Sequence, residues 1–114
     1  MAVTDAVNGK QVALVPIGEH PDAAGYDEKR GLVYSSNGEG TLSVVRQDSA
    51  DRYSVVQSVP TQRGARTMAL DAATGKVYLV TADFGPAPPA TAEQPHPRPA
   101  LLPDSFVVLV VGEH

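Results

Sequence analysis

Tyr26-Asp27-Glu28-Lys29-Arg30-Gly31-Leu32-Val33-Tyr34-Ser35-Ser36-Asn37-Gly38 returns 44 residues later as Leu70-Asp71-Ala72-Ala73-Thr74-Gly75-Lys76-Val77-Tyr78-Leu79-Val80-Thr81-Ala82. In each copy an apolar segment ends in Asp, three turn residues lead to Gly, and a β-rich run containing Val-Tyr follows. That order reads as strand, tight turn, strand. The same offset aligns Val12 with Val56, Val15 with Val59 and Pro16 with Pro60, and it continues without a gap through Asp27/Asp71, Gly31/Gly75, Val33/Val77 and Tyr34/Tyr78. Seven identities over positions 8–38 exceed the roughly two expected from ordinary residue usage. They fall on turn and strand positions, so the repeat is internal and structural.

Working outward from that stretch, one period holds strands over 22–27, 32–36, 41–46 and 53–59, separated by turns rich in Gly, Asn and charged residues. Four short antiparallel strands per 40–45 residues are the signature of a β-propeller blade. A plain β-sandwich is the competing all-β reading, but sandwiches need no period. In the second period the third strand aligns Ser105-Phe106-Val107-Val108-Leu109 with Thr41-Leu42-Ser43-Val44-Val45, an offset of 64 that leaves 20 extra residues. The insert, 84–103, holds seven Pro and should run as an extended, solvated arm.

Strand counting then predicts assembly. The second period lacks a fourth strand, whereas 11–17 is a fourth strand with no blade before it; Asn8-Gly9 just ahead of it is a strong two-residue hairpin signal. Two blades cannot close a ring that needs about four to eight. The expectation is therefore a single unit, 1–114, that forms a homo-oligomer of three or four copies. In it, strand 11–17 is donated to another copy's blade, 21–60 is a complete blade and 64–111 is a blade awaiting its fourth strand. Val12, Leu14, Val15, Val108 and Val110 are the expected oligomer interface.

Bulk composition narrows the function. The chain has 114 residues, ten Pro, ten Gly and no Cys, which favours turn-rich β structure and removes thiolate catalysis and thiolate metal sites. Thirteen acidic against nine basic side chains give a net charge of −4, so no basic field gathers nucleic acid. Neither a leader-like segment nor an apolar run of about 18 residues is read in these residues, so no membrane span is expected.

Val33-Tyr34-Ser35-Ser36-Asn37 and Val77-Tyr78-Leu79-Val80-Thr81 resemble the Tyr-Val-Thr-Asn core of the YVTN-type β-propeller repeat, and Gly64-Ala65-Arg66-Thr67-Met68-Ala69-Leu70-Asp71 is similar to the strand that opens each blade of that family. The resemblance implies a bacterial protein, commonly exported to the periplasm or cell surface. It also implies binding roles, with lactonase-like enzymes in the wider group. Family members commonly have seven blades, so the two here resemble the C-terminal part of such a protein.

In a propeller the loops joining fourth to first strands and second to third strands open on one rim. Here that rim should carry His20, Asp22, Asn37, Arg63, Arg66 and Asp83. Arg63 and Arg66 either grip a small anionic ligand, with Gly64 allowing close backbone approach, or ion-pair with Glu19 or Asp22. His20 is either an exposed loop histidine or one of a ring of imidazoles from several copies that suits a divalent metal such as Zn²⁺. No other cofactor is indicated. No Gly-x-Ser-x-Gly nucleophile setting occurs, and Gly38-Glu39-Gly40 opens a strand rather than a phosphate-binding helix. His96 and His114 read as exposed and inert. Asp27 and Asp71 read as turn formers rather than Ca²⁺ ligands, because one carboxylate per loop falls far short of the six to eight oxygens Ca²⁺ takes. Three functions follow: a binding scaffold, a metal-dependent lactonase-like hydrolase, or a piece of a larger propeller with no function of its own.

Overall fold

A computed structural model describes residues 1–112; His114 lies outside the described residues. The chain is all-β, with nine strands and no helix among the described residues. The strands are β1 (Ala2–Thr4), β2 (Gln11–Leu14), β3 (Pro21–Asp27), β4 (Leu32–Asn37), β5 (Thr41–Ser49), β6 (Arg52–Pro60), β7 (Thr67–Asp71), β8 (Lys76–Thr81) and β9 (Val107–Val111). They form three antiparallel sheets: a hairpin β1-β2, a four-stranded meander β3-β4-β5-β6 and a three-stranded meander β7-β8-β9. Pro16, which lacks a donor, follows the point where β2 ends.

The two copies of the opening stretch become the β3-β4 and β7-β8 hairpins. Asp27 sits fully buried at the first turn and accepts from the Arg30 amide at 3.2 Å and from Arg30 Nη1 at 2.9 Å. Asp71 closes the second turn by accepting from the Ala73 amide at 3.0 Å and the Thr74 hydroxyl at 2.8 Å. Gly31 and Gly75 follow at φ 64° and 76°, left-handed values that Gly takes without penalty. Arg30 Nη1 also donates to Ala72 O at 3.3 Å and so ties the first turn to the second. A Cβ on Gly75 would lie 2.8 Å from that guanidinium, a second reason for Gly there. Burial works to raise the Asp27 pKa, but hydrogen bonds from Arg30 and its charge outweigh burial and hold the carboxyl below the usual value. The Thr74 hydroxyl and Ala73 amide lower Asp71 likewise. Both aspartates are thus turn formers.

The core lies between the two meanders. Tyr34, Leu42 and Val44 from the first sheet pack with Val77 and Leu79 from the second and with Ala65 of the loop that joins the sheets, flanked by Met68, Leu70, Leu109 and Val111. The innermost strands come closest: a Cβ on Gly25 of β3 would sit 2.9 Å from the Met68 methyl of β7. The opposite face of the first sheet carries Val33 and Val45, cross-strand partners, and looks toward the β1-β2 hairpin. The molecule is an open slab. It exposes 7739 Å², where a compact monomer of 11.9 kDa exposes about 6,000 Å². Its radius of gyration is 16.6 Å, against about 13 Å for a compact chain of this length.

Three features differ from the sequence reading. Strand β1 is additional to the expected strands, and it pairs in cis with β2, so 11–14 is not an unpaired strand. The turn between them is longer than a two-residue Asn-Gly turn: Gly9, at φ 73°, donates to Asp5 O and Asp5 donates to Lys10 O, both at 2.8 Å. The third strand of the second sheet also starts two residues later than expected. Tyr34 pairs with Val44 and Tyr78 with Val110, so the true offset between β5 and β9 is 66. The cause is local: Asp104 has φ 57°, and Ser105 Oγ donates to Leu102 O at 2.7 Å while accepting from the Asp83 amide at 2.9 Å. Ser105 therefore closes the arm instead of opening the strand.

Candidate functional site

Three loops are stitched together at one end of the sheets. The Gly38 amide donates to His20 O at 2.8 Å, the Gly64 amide to Gly38 O at 2.9 Å, and the Thr61 amide to Gly40 O at 2.8 Å. Loops 18–20, 38–40 and 61–66 thus share one hydrogen-bonded backbone. Close approach dictates the glycines. A Cβ on Gly40, at φ 110°, would lie 3.1 Å from the Arg63 amide nitrogen, and one on Gly64, at φ 81°, would lie 2.6 Å from the Phe84 ring. His20 itself adopts φ 56°, uncommon for a residue with a Cβ.

The Pro-rich arm supplies the fourth wall. Its two limbs pair at the base, where Phe84 and Leu101 form an antiparallel bridge. The Gly85 amide donates to Ala100 O and the Leu102 amide to Asp83 O, both at 2.8 Å. The Thr91 amide donates to Gln94 O at 3.0 Å near the tip. The arm is exposed along most of its length, as its composition predicts. Its returning limb brings Arg98 and Pro99 against the loops.

The result is a cleft of about 470 Å³ lined by His20, Gly38, Arg63, Gly64, Arg66 and Phe84, with Arg98 and Pro99 on the arm side. The backbone of the two loop arginines is pinned: Thr81 Oγ1 donates to Arg63 O at 2.8 Å, and Ser36 Oγ donates to Arg66 O. Both arginines are exposed. Among the described residues the one ion pair is Arg30 with Asp27, so Arg63, Arg66 and Arg98 face the cleft without carboxylate partners. The alternative pairing of Arg63 or Arg66 with Glu19 or Asp22 is not formed. A planar five-donor cation free of a carboxylate is suited to a carboxylate or phosphate ligand.

Of the six rim residues expected from sequence, His20, Arg63 and Arg66 meet at this cleft. Asn37 does not: it is fully buried, its amide nitrogen donating at 3.0 Å to both Thr41 Oγ1 and Ser43 Oγ and its oxygen accepting from Ser35 at 3.1 Å. With both ends of the amide committed, Asn37 is a structural member of the sheet. Asp22 lies on the hairpin side, in a shallow depression with Met1, Ile17 and Ser35. Asp83 accepts from Gln62 Nε2 at 3.0 Å and helps close the arm. No group of three His, Asp or Glu that could hold a metal occurs among the described residues, so His20 belongs to no such group there. His96 lines a separate depression within the arm. Arg98 and Phe84 join the cleft without any signal in the repeat that would place them there.

The expected interface residues divide in the same way. Val15 is buried within the chain and Val12 half-buried, while Leu14, Val108 and Val110 are exposed. No helix among the described residues is long and apolar enough to cross a membrane. Comparison with family models, with curated proteins and with solved structures gave no match.

Proposed function

We propose that the chain is a two-blade unit of a YVTN-type β-propeller, completed by three or four head-to-tail copies, that serves as a binding scaffold for a small anion. The observation that carries the binding role is the cleft in which Arg63, Arg66 and Arg98 gather without a carboxylate partner among the described residues. In a ring of such units the same loops border the central channel, and each copy adds one cationic site to a common mouth. A field of that kind concentrates anions ahead of contact.

Assembly is supported by the two sheets themselves. Tyr34, Leu42 and Val44 are 7%, 0% and 7% exposed where the second sheet covers them. Their counterparts by register, Tyr78, Val108 and Val110, are 37%, 53% and 55% exposed on a face that no described residue covers. The excess surface, on the order of 1,000–2,000 Å², is of the size that specific interfaces bury. The occupant of such a face is another first sheet.

Titration of the protein with inorganic phosphate and with a dicarboxylate, followed by the NMR shifts of the Gly38 and Gly64 amides, tests the binding role. Saturable shifts are expected, with Arg63→Ala and Arg66→Ala each weakening binding by about tenfold, the loss of one charge-assisted hydrogen bond at a partly solvated site. Absence of saturation up to about 10 mM would remove the binding role.

A further inference from the structure

Strand β1 is tied to β2 in the register that joins β5 to β6. In the complete sheet Ser43 faces Ser58, Val44 faces Gln57 and Val45 faces Val55, the register slipping past Val56. In the hairpin Ala2 faces Leu14, Val3 faces Ala13 and Thr4 faces Gln11, the register slipping past Val12. Val12 lies 44 residues before Val56, so the irregularity falls at the same place in the period. The next pair agrees too. The Val15 amide donates to Met1 O at 2.8 Å and the terminal ammonium donates to Val15 O at 2.7 Å, where Leu42 faces Val59 in the full sheet.

Met1, Ala2, Val3 and Thr4 therefore stand where Leu42, Ser43, Val44 and Val45 stand in the first sheet. By the offset of 66 between β5 and β9, they stand where Val108, Leu109, Val110 and Val111 stand in the second. Meanwhile β9 ends the order β7-β8-β9 and has one edge unpaired. An apolar edge strand of this kind is a template for another strand. The edge of β2 that would complete it is the edge β1 occupies.

We propose that β1 is a placeholder for β9 of a second copy, so that assembly proceeds by exchange of β1 for the incoming β9. This rests on the reading that copies assemble head to tail, and adds how their junction is made. In the exchanged junction Val108 faces Val15, Leu109 faces Leu14, Val110 faces Ala13 and Val111 faces Gln11 of the other copy. The exchange replaces Met-Ala-Val-Thr by Val-Leu-Val-Val, larger in total β-branched content. It also lays Tyr78, Val108 and Val110 over the face where β1 now leaves a groove of about 350 Å³ against Ala24, Tyr26, Val33, Gln47 and Tyr53. The short 5–10 loop holds β1 at a high effective concentration. Exchange is therefore favoured as protein concentration rises, and at low concentration each copy keeps its own β1.

Because the chain has no cysteine, disulfide trapping tests this cleanly. In a Val3→Cys/Ala13→Cys variant, oxidation locks β1 on β2. The locked chain should run at the 11.9 kDa monomer mass and regain the wild-type oligomer mass on reduction, with circular dichroism checking that both forms are folded. Mixing Ala13→Cys with Val110→Cys should give a mixed covalent dimer, in higher yield than either single variant alone. If the locked form assembles like wild type, or wild type assembles while the mixed dimer fails to form, the placeholder role is wrong and head-to-tail assembly stands on another junction. If wild type and the reduced variant are both monomers at every concentration, the assembly reading and the placeholder role fall together.

Discussion

Replacing Gly64 by Ala isolates the link between the loops and the Pro-rich arm. Gly64 has φ 81°, and an added Cβ would meet Phe84 Cε2 at 2.6 Å, whereas carbon atoms in contact sit at about 3.5–4.0 Å. The left-handed backbone alone disfavours Ala by about 1–2 kcal/mol. The ring must retreat by about 1 Å, and because Phe84 is already 38% exposed its lost contact is on the order of 1 kcal/mol. The total is about 2–3 kcal/mol, equivalent to a fall of roughly 1 M in the urea midpoint. With no Trp in the chain, unfolding is best followed by circular dichroism. Phe84→Ala should cost about 1–2 kcal/mol. The double variant should lose about 1 kcal/mol less than the two single losses added together, since both remove the same ring contact. Strict additivity, or a Gly64→Ala loss below about 0.5 kcal/mol, would refute the packing of the arm on this loop. The same substitution should speed hydrogen exchange at the Gly85 and Leu102 amides, which hold the arm's base closed.

Three further outcomes follow from the packing and the turns. Leu79→Ala, at a fully buried position between the sheets, should lower stability by about 2–5 kcal/mol in equilibrium unfolding. Asp27 and Asp71 have folded-state pKa values below the ordinary aspartate value of 3.8, so the stability they add is present above that value and is lost as pH falls through the lower folded one. The gap in melting temperature between wild type and Asp27→Asn should accordingly be open at neutral pH and close as the solution is acidified past that ordinary value. Gly75→Ala should destabilise through its φ and through the displaced Arg30 guanidinium, and truncating Arg30 should recover only the second part, as a double-mutant cycle would read.

Much of the fold is legible in the residues because the turns are self-contained. Asp27 and Gly31, or Asp71 and Gly75, specify their hairpins with local hydrogen bonds, and the Val-Tyr runs alternate correctly between faces. Asn37 is misplaced when turn residues are read as rim residues. Its parity with Val33 and Ser35 along β4 is the available signal that it belongs to the sheet face turned toward the β1-β2 hairpin and not to the rim. Strand β1 escapes notice because Ala2-Val3-Thr4 is short and flanked by polar residues, although a hairpin turn at Asn8-Gly9 requires a strand before it. The two-residue shift of β9 arises in the Pro103-Asp104-Ser105 turn, where hydrogen bonds from distant Asp83 decide the register. Arg98 and Phe84 reach the cleft through the fold-back of an aperiodic arm, fixed by pairing of its own limbs at Phe84 and Leu101 and by the open space above Gly64, neither of which the repeat encodes.

The solution mass of the untagged protein, measured by sedimentation across a range of concentrations, tests head-to-tail completion most directly. A species of three or four times the 11.9 kDa chain mass is expected, growing at the expense of monomer as concentration rises. A chain that stays a folded monomer throughout that range would contradict it.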